Sequence, residues 1–117
     1  MQLNEVTYTD VQPIQGYGPG FFRIAGRVHH GPILTCASGT RDWHGYGDAA
    51  MLLALAKEID VVFIGTGADI AHIPADLRSS LETAGIGVET MSTPSACRTY
   101  NVLLSEGRRI AAALIPV

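Results

Sequence analysis

Gly65-Thr66-Gly67 and the stretch from Thr93 to Arg108 hold the residues best suited to chemistry. The glycine pair follows the apolar run Val61-Val62-Phe63-Ile64. Ligands of open α/β sheets sit at the carboxyl ends of such strands. Successive backbone N–H groups in a glycine loop also cradle anions. Thr93-Pro94 reads as a hydroxyl cap followed by proline at the first helical position, which opens a helix and offers further N–H donors. Cys97 and Asn101 are spaced to share one face of that helix, with Arg98 one position round. A thiol near a helix N-terminus and beside a guanidinium can have a lowered pKa, which makes Cys97 the one catalytic candidate, as a nucleophile. Against this, Cys97 lies about a turn past the cap, where the helix field fades. No histidine is near it in sequence to act as its base. A small buried cysteine facing a sheet is the competing reading. Arg98 and Arg108 can add charge toward a carboxylate or phosphate. The expected ligand site is therefore a pocket for a small anionic molecule between the Gly65, Thr66 and Gly67 loop and the Thr93 helix. Arg98, Asn101 and Arg108 would contribute to it. A tight strand-exit turn with close backbone packing explains the same glycines without any ligand.

Other site chemistries are weaker. The dinucleotide fingerprint G-x-G-x-x-G has Ile70 at its third glycine position, and Pro74 places the next helix too late to meet a phosphate. His29 and His30 are adjacent and point to opposite faces if extended; His44 and His72 stand apart from them. No ligand spacing suggests a metal site, and none is expected. No G-x-S-x-G elbow, phosphate-binding P-loop or H-E-x-x-H helix occurs. No cofactor is expected.

The 117 residues fit one domain, 1–117, with no composition break, repeat or low-complexity tail. Apolar residues make up 47% and charged residues 16%, so a core can form and disorder is disfavoured. Eight basic against 11 acidic side chains give a net charge of −3, which argues against nucleic-acid binding through a broad basic patch. No apolar run is long enough for a transmembrane helix, so no membrane insertion is expected. Met1 to Asp10 carries acids and no basic segment, unlike a signal peptide. Cys36 and Cys97 are too few for a disulfide scaffold, although a single bridge between them stays open. A cytoplasmic location follows as the expectation.

Two halves must position these residues. Residues 1–45 are rich in glycine and read as strands and turns. A short strand is expected over Glu5 to Thr9. Phe22, Ile24 and Val28 form a loosely alternating segment, and Ile33 to Ser38 a second one; a turn at Gly31-Pro32 suggests that the two pair antiparallel. Residues 46–117 read as αβαβαβ. Asp48 caps a helix to about Glu58. Val61 to Ile64 is a strand covered on both faces. Pro74 suits the first turn of the next helix, and Gly85 its stop. Ile86 to Met91 is a strand, the Thr93 helix runs to about Ser105, and Arg108 to Val117 is the final strand. Such alternation favours a sheet with helices on its faces.

Several of these residues recur in one family pattern. They are Ile64-Gly65-Thr66-Gly67, Pro74, Leu77, Leu81, Gly85-Ile86, Val88, Thr93, Ala96, Tyr100-Asn101, Leu103 and Gly107-Arg108. In order and spacing this set resembles the family of mitochondrial NADH:ubiquinone oxidoreductase (complex I) assembly factor 3 and its small bacterial and archaeal relatives. Tyr17-Gly18, Phe22, Ile24, Gly26, Ile33-Leu34 and Trp43 extend the likeness through the first half. The resemblance implies a three-layer α/β fold: a central mixed sheet, helices on one side, and a small β-layer plus a helix on the other. It implies no established catalysis, and it implies a role in assembly through protein contacts.

The leading expectation is thus a binding or assembly module, with a protein partner or a second copy of the chain as a symmetric dimer. Trp43, Tyr17 and Phe21-Phe22 are its expected exposed anchors, since aromatic residues dominate interface hot spots; burial in the core is the competing role for them. The alternative expectation is a small enzyme or metabolite-binding protein using the anionic pocket described above.

Overall fold

The computed structural model describes residues 11–117, and the strand expected over Glu5 to Thr9 lies outside them. The chain begins with five short strands: β1 (Ile14–Gly18), β2 (Phe21–Ile24), β3 (Arg27–His30), β4 (Ile33–Cys36) and β5 (Gly39–Asp42). It continues as α1 (Ala49–Leu53), β6 (Val61–Thr66), α2 (Ala75–Thr83), β7 (Gly87–Met91), α3 (Thr93–Ser105) and β8 (Ile110–Ile115). Strands β1-β2-β3 form an antiparallel sheet, and β5-β4-β8-β6-β7 a five-stranded sheet. The larger sheet is mixed: β6 runs parallel to β7 and β8, while β4 runs antiparallel to β8 and β5.

Alternation along the central strands builds two cores. Val62 and Ile64 of β6 and Ala111 and Ala113 of β8 face Leu52, Leu77 and Leu81 of α1 and α2. Phe63, Ile110, Ala112 and Leu114 face Ala96, Cys97, Tyr100 and Leu104 of α3, together with Ile14, Phe22 and Ile24 of the small sheet. The result is three layers: α1 and α2, then the mixed sheet, then α3 with the small sheet. That is the arrangement the resemblance implied. The alanines of β8 are fully buried, so this strand presents little bulk where helices approach from both sides.

The first half departs from the expected pairing. The segment around Phe22 to Val28 is not one strand but a hairpin, turning at Ala25 and Gly26 with φ of 54° and 74°. Positive φ at both positions is the type I′ turn, whose twist matches that of the flanking strands. Gly31-Pro32 does not join an antiparallel pair. It passes the chain from β3 in the small sheet to β4 in the large one. Phe21 lays its ring over Gly18 of β1, where a side-chain carbon would stand 2.5 Å from it.

Helix boundaries shift as well. Asp48 caps α1 by accepting from the Met51 N–H at 3.4 Å. Regular helix nonetheless ends at Leu53 rather than Glu58. From Leu55 the backbone bonds reach back three residues, Leu55 to Leu52 and Ala56 to Leu53, before Ile59 returns to Leu55. This tightening leaves Leu52, Leu55 and Ile59 all buried in one cluster. Pro74 is the N-cap of α2 rather than part of its first turn. Ser92, not Thr93, is the N-cap of α3.

Burial decides two readings that the sequence leaves open. Trp43 and Phe22 are core residues at 2% and 0% exposure, so neither is a surface anchor; Tyr17 is exposed and Phe21 half-buried. The Trp43 indole donates to the Asp48 carbonyl at 3.1 Å, which satisfies its polar end. Cys36 and Cys97 are both free and buried, and they belong to clusters on opposite faces of the mixed sheet, so no bridge joins them.

Candidate functional site

The sequence-derived site residues fall at the two ends of α3. Gly65, Thr66, Gly67 and Thr93 meet at its N-terminus. A side-chain carbon on Gly65 would stand 2.7 Å from Thr93 Oγ1 and 3.0 Å from Thr93 Cα, so only glycine lets the helix start so close to β6. Gly67 turns the chain with φ +103°, a conformation cheap for glycine alone. The buried Thr93 hydroxyl accepts from the Gly67 N–H at 2.8 Å and donates to the Ile115 carbonyl at 2.6 Å. The Thr93 N–H returns to the Gly67 carbonyl at 2.8 Å. Thr66 accepts from the Ala71 N–H at 3.0 Å and donates to the Asp69 carbonyl at 2.8 Å. The loop N–H of Gly67 and both hydroxyls are thus engaged with the chain itself. They tie β6, β8 and α3 into one corner.

The other predicted residues lie down the helix. Arg98 is exposed and its guanidinium donates to Ser95 at 3.3 Å. Asn101 grips β1 at two points: its Oδ1 accepts from the Ile14 N–H and its Nδ2 donates to the Ile14 carbonyl, each at 2.8 Å. Arg108 follows Gly107, the stop of α3, whose φ is +77°. With a rise of about 1.5 Å per residue, Arg108 stands roughly 20 Å from Thr93, so the two cannot hold one small molecule between them. Ion pairs among the described residues are His44–Asp48, Arg78–Glu82 and Arg109–Asp60, and none includes Arg98 or Arg108.

Cys97 packs against the sheet at 4% exposure. Burial pushes its thiol up to about 11, and the neighbouring Arg98 guanidinium opposes this only in part. An activated nucleophile needs the opposite direction. One turn on, the Tyr100 hydroxyl is buried and, among the described residues, has no hydrogen-bond partner at good geometry, with the Thr35 hydroxyl a polar neighbour. Burial raises its ionisation above the ordinary tyrosine value, with the Thr35 hydroxyl of β4 pulling the other way. Thr35 is itself bonded to Thr40 at 2.7 Å. No cluster of three or more metal-ligating side chains occurs among the described residues.

A cavity of about 520 Å³ opens at the far end of α3, beyond the reach of Thr93. Its wall includes Cys36, Ile59, Leu104 and Ile110, with Asn101 and Arg108 from the predicted set. Ligand pockets commonly measure about 300–1,000 Å³ and are mostly apolar with a few polar groups. Sequence reasoning missed it because its wall comes from four separated segments, which only the fold brings together.

The sequence description "protein of unknown function (DUF498/DUF598)" fits residues 14–115, nearly the whole described chain. The chain belongs to the DUF498/DUF598 family. It is 53% identical over 117 residues to an uncharacterized protein of Rhodobacter capsulatus, covering 100% of this chain and 94% of that protein. It is 36% identical over 110 residues to NADH dehydrogenase (ubiquinone) 1 alpha subcomplex assembly factor 3 of Danio rerio. That match covers 88% of this chain but 63% of the fish protein, so the chain spans under two thirds of that relative. The crystal structure of an outer membrane protein from Bartonella henselae superposes with a TM-score of 0.82 at 40% identity, covering 90% of this chain and 94% of that one. A Mth938-like domain from Bordetella pertussis gives 0.76 at 25% identity, covering 92% and 87%. Complex I assembly factors are therefore relatives of this chain, as the sequence pattern implied. Among the described residues no helix is long and apolar enough to cross a membrane.

Proposed function

We propose that this DUF498/DUF598 chain is a non-catalytic assembly module that works through protein contacts. The observation that carries this reading is the 36% identity to a complex I assembly factor across 88% of the chain. The geometry agrees in kind. The hydroxyls and the Gly67 N–H that a reaction at the glycine loop would use hold the fold together instead, and the Cys97 thiol is pushed away from reactivity. In this reading the protein acts in the cytoplasm without a metal or cofactor, and its partner is another protein or a second copy of itself.

Rescue tests it. The chain, fused to a mitochondrial targeting segment, is expressed in zebrafish cells lacking assembly factor 3, and assembled NADH dehydrogenase is measured on native gels. Restored complex is the expected result. Imported, folded protein that restores none refutes the reading. Cell fractionation of the native host tests the location, and sedimentation the self-association.

The cavity at the foot of α3 favours a second reading, a binder of a small amphipathic anion. Its apolar wall and the exposed Arg108 beside it, which forms no ion pair among the described residues, suit a short hydrocarbon chain ending in a carboxylate. Native mass spectra of the protein from its host should show a small-molecule mass increment, lost in Arg108→Glu. Unmodified mass and no thermal shift with octanoate would end this reading.

A further inference from the structure

Charge is divided unevenly along this acidic chain. Residues 11–41 hold Arg23, Arg27 and Arg41 and no aspartate or glutamate, although the whole chain carries 11 acidic against 8 basic side chains. Arg23 and Arg27 belong to the small sheet, both are exposed, and neither enters an ion pair among the described residues.

Among the described residues the same sheet has one held edge and one open one. Its outer strands are β1 and β3. Asn101 clamps β1 to α3 through Ile14. β3 lies at the other edge with Arg27, Val28 and His30 exposed, Val28 at 44%. Its hydrogen-bonding phase follows from the hairpin. The two-residue turn makes Ile24 and Arg27 the closing pair, and bonded pairs alternate along an antiparallel ladder. His29 then bonds back to Phe22, and the Gly31 N–H to the Gly20 carbonyl at 2.9 Å confirms that phase. Val28 and His30 are left with N–H and C=O groups directed away from the sheet. Native edges are usually blocked by proline, bulges or cover; β3 carries no proline, its pairing with β2 is regular, and no other strand among the described residues pairs with it.

We propose that the free edge of β3 is a docking strand for an extended, acidic segment of a partner protein. The proposal rests on the protein-contact reading above and names the chemistry of the partner. An added strand pairs with the outward groups of Val28 and His30 and supplies both donors and acceptors, as strand addition requires. On one face its side chains stand beside Val28, with Arg23 of β2 reaching toward them from one strand further in, because Val28 and Arg23 are cross-strand partners. On the other face they meet Arg27 and His29, which line a cleft of about 190 Å³ against Gly39 and Thr40. Opposite charges facing across strands are favourable and fix the register. A nucleic-acid or lipid phosphate offers only acceptors and would leave the outward carbonyls of Val28 and His30 unmatched.

The test uses the full chain and a fluorescein-labelled peptide, Gly-Glu-Glu-Val-Val-Glu-Glu-Gly, whose acids lie on both faces of an extended strand, with its lysine-for-glutamate counterpart. Fluorescence anisotropy should show saturable binding of the acidic peptide, weakened by salt, and none of the lysine peptide. The Val28 and His30 amides should slow in hydrogen exchange on binding. Arg23→Glu with Arg27→Glu should weaken binding by at least roughly tenfold, as charge reversal across an interface does. Val28→Pro removes an outward N–H that the β2–β3 ladder does not use, so the sheet persists; it should abolish binding. Equal binding of both peptides, or undiminished binding by a folded Val28→Pro, overturns the proposal. So does arginine-dependent capture of phosphatidylglycerol vesicles or duplex DNA that Val28→Pro leaves intact. The rescue assay separates the two claims: absence of peptide binding with rescue retained removes only the β3 assignment, and failed rescue with peptide binding removes only the assembly role.

Discussion

Replacing Thr93 with valine keeps the shape of the side chain and removes its hydroxyl. Two buried bonds go with it, from the Gly67 N–H at 2.8 Å and to the Ile115 carbonyl at 2.6 Å. Thr93 is 0% exposed, so water cannot replace them. Each buried polar group left unpaired costs about 1–3 kcal/mol. Thr93→Val should therefore destabilise the chain by about 2–6 kcal/mol, a large share of the roughly 5–15 kcal/mol that holds a domain together. Thr93→Ser is the control. It keeps the hydroxyl and loses one methyl, worth about 1 kcal/mol. Urea unfolding followed by circular dichroism reads both variants. With a slope of about 1–3 kcal/mol per molar, the valine midpoint should fall by about 0.7 M or more and the serine midpoint by half as much or less. A valine variant as stable as the serine one would refute the reasoning. It would mean that the Gly67 N–H has another partner or reaches solvent, and that donor would then be open to an anion as the sequence suggested.

The remaining predictions concern other parts of the same frame. Trp43→Ala should cost about 3–5 kcal/mol, as large-to-small changes in cores do, and a melting curve should show lost stability rather than a folded protein lacking its partner. Asn101→Ala should free the Ile14 backbone from α3 while leaving the mixed sheet in place. Faster amide exchange confined to the small sheet would show this, and uniform change across both sheets would count against it. At high pH the buried Cys97 thiol contributes in the opposite sense to a salt-bridged acid. Its folded pKa, about 11, lies above the 9.0 of a free thiol, so the stability it supports is complete below pH 9 and falls as pH rises from 9 to 11. The shift corresponds to about 2–3 kcal/mol. Cys97→Ala should lose that part of the alkaline decline, and urea midpoints that decline identically in both proteins would refute the assignment.

The α/β half was legible because its signals are local. Val61 to Ile64 is a run of apolar side chains covered on both faces, and Gly107 stops α3 where glycine suits positive φ. The β-rich half was harder. Its decisive turn uses Ala25 at φ 54°, a residue that carries no turn signal, while the stronger Gly31-Pro32 signal marks a change of sheet. Thr93 misleads for a related reason. Threonine before proline promises a local cap, yet its hydroxyl bonds residues that are distant in sequence, Gly67 and Ile115. Trp43 sits between Asp42 and His44 and looks exposed, and the cluster that buries it is assembled from both helices and strands on that face. Local patterns thus reported the elements well and the long-range partners of polar and aromatic groups poorly.

The placement of those long-range bonds bears on where recognition can occur. The corner at Gly67, Thr93 and Ile115 joins β6, β8 and α3, so a change there perturbs folding and any binding together. The small sheet is attached differently. Ile14, Phe22 and Ile24 point inward to the shared core, and Asn101 fastens β1. Arg23, Arg27, Val28 and His30 lie outside that attachment and are exposed. Substitutions at these four positions remove little buried area and no bond that holds the sheet to α3, and surface changes of that kind usually alter stability by less than about 0.5 kcal/mol. Recognition at β3 can therefore be altered while the fold stays intact. That separation makes the free edge the surface on which a protein-contact role can be tested without first destabilising the molecule.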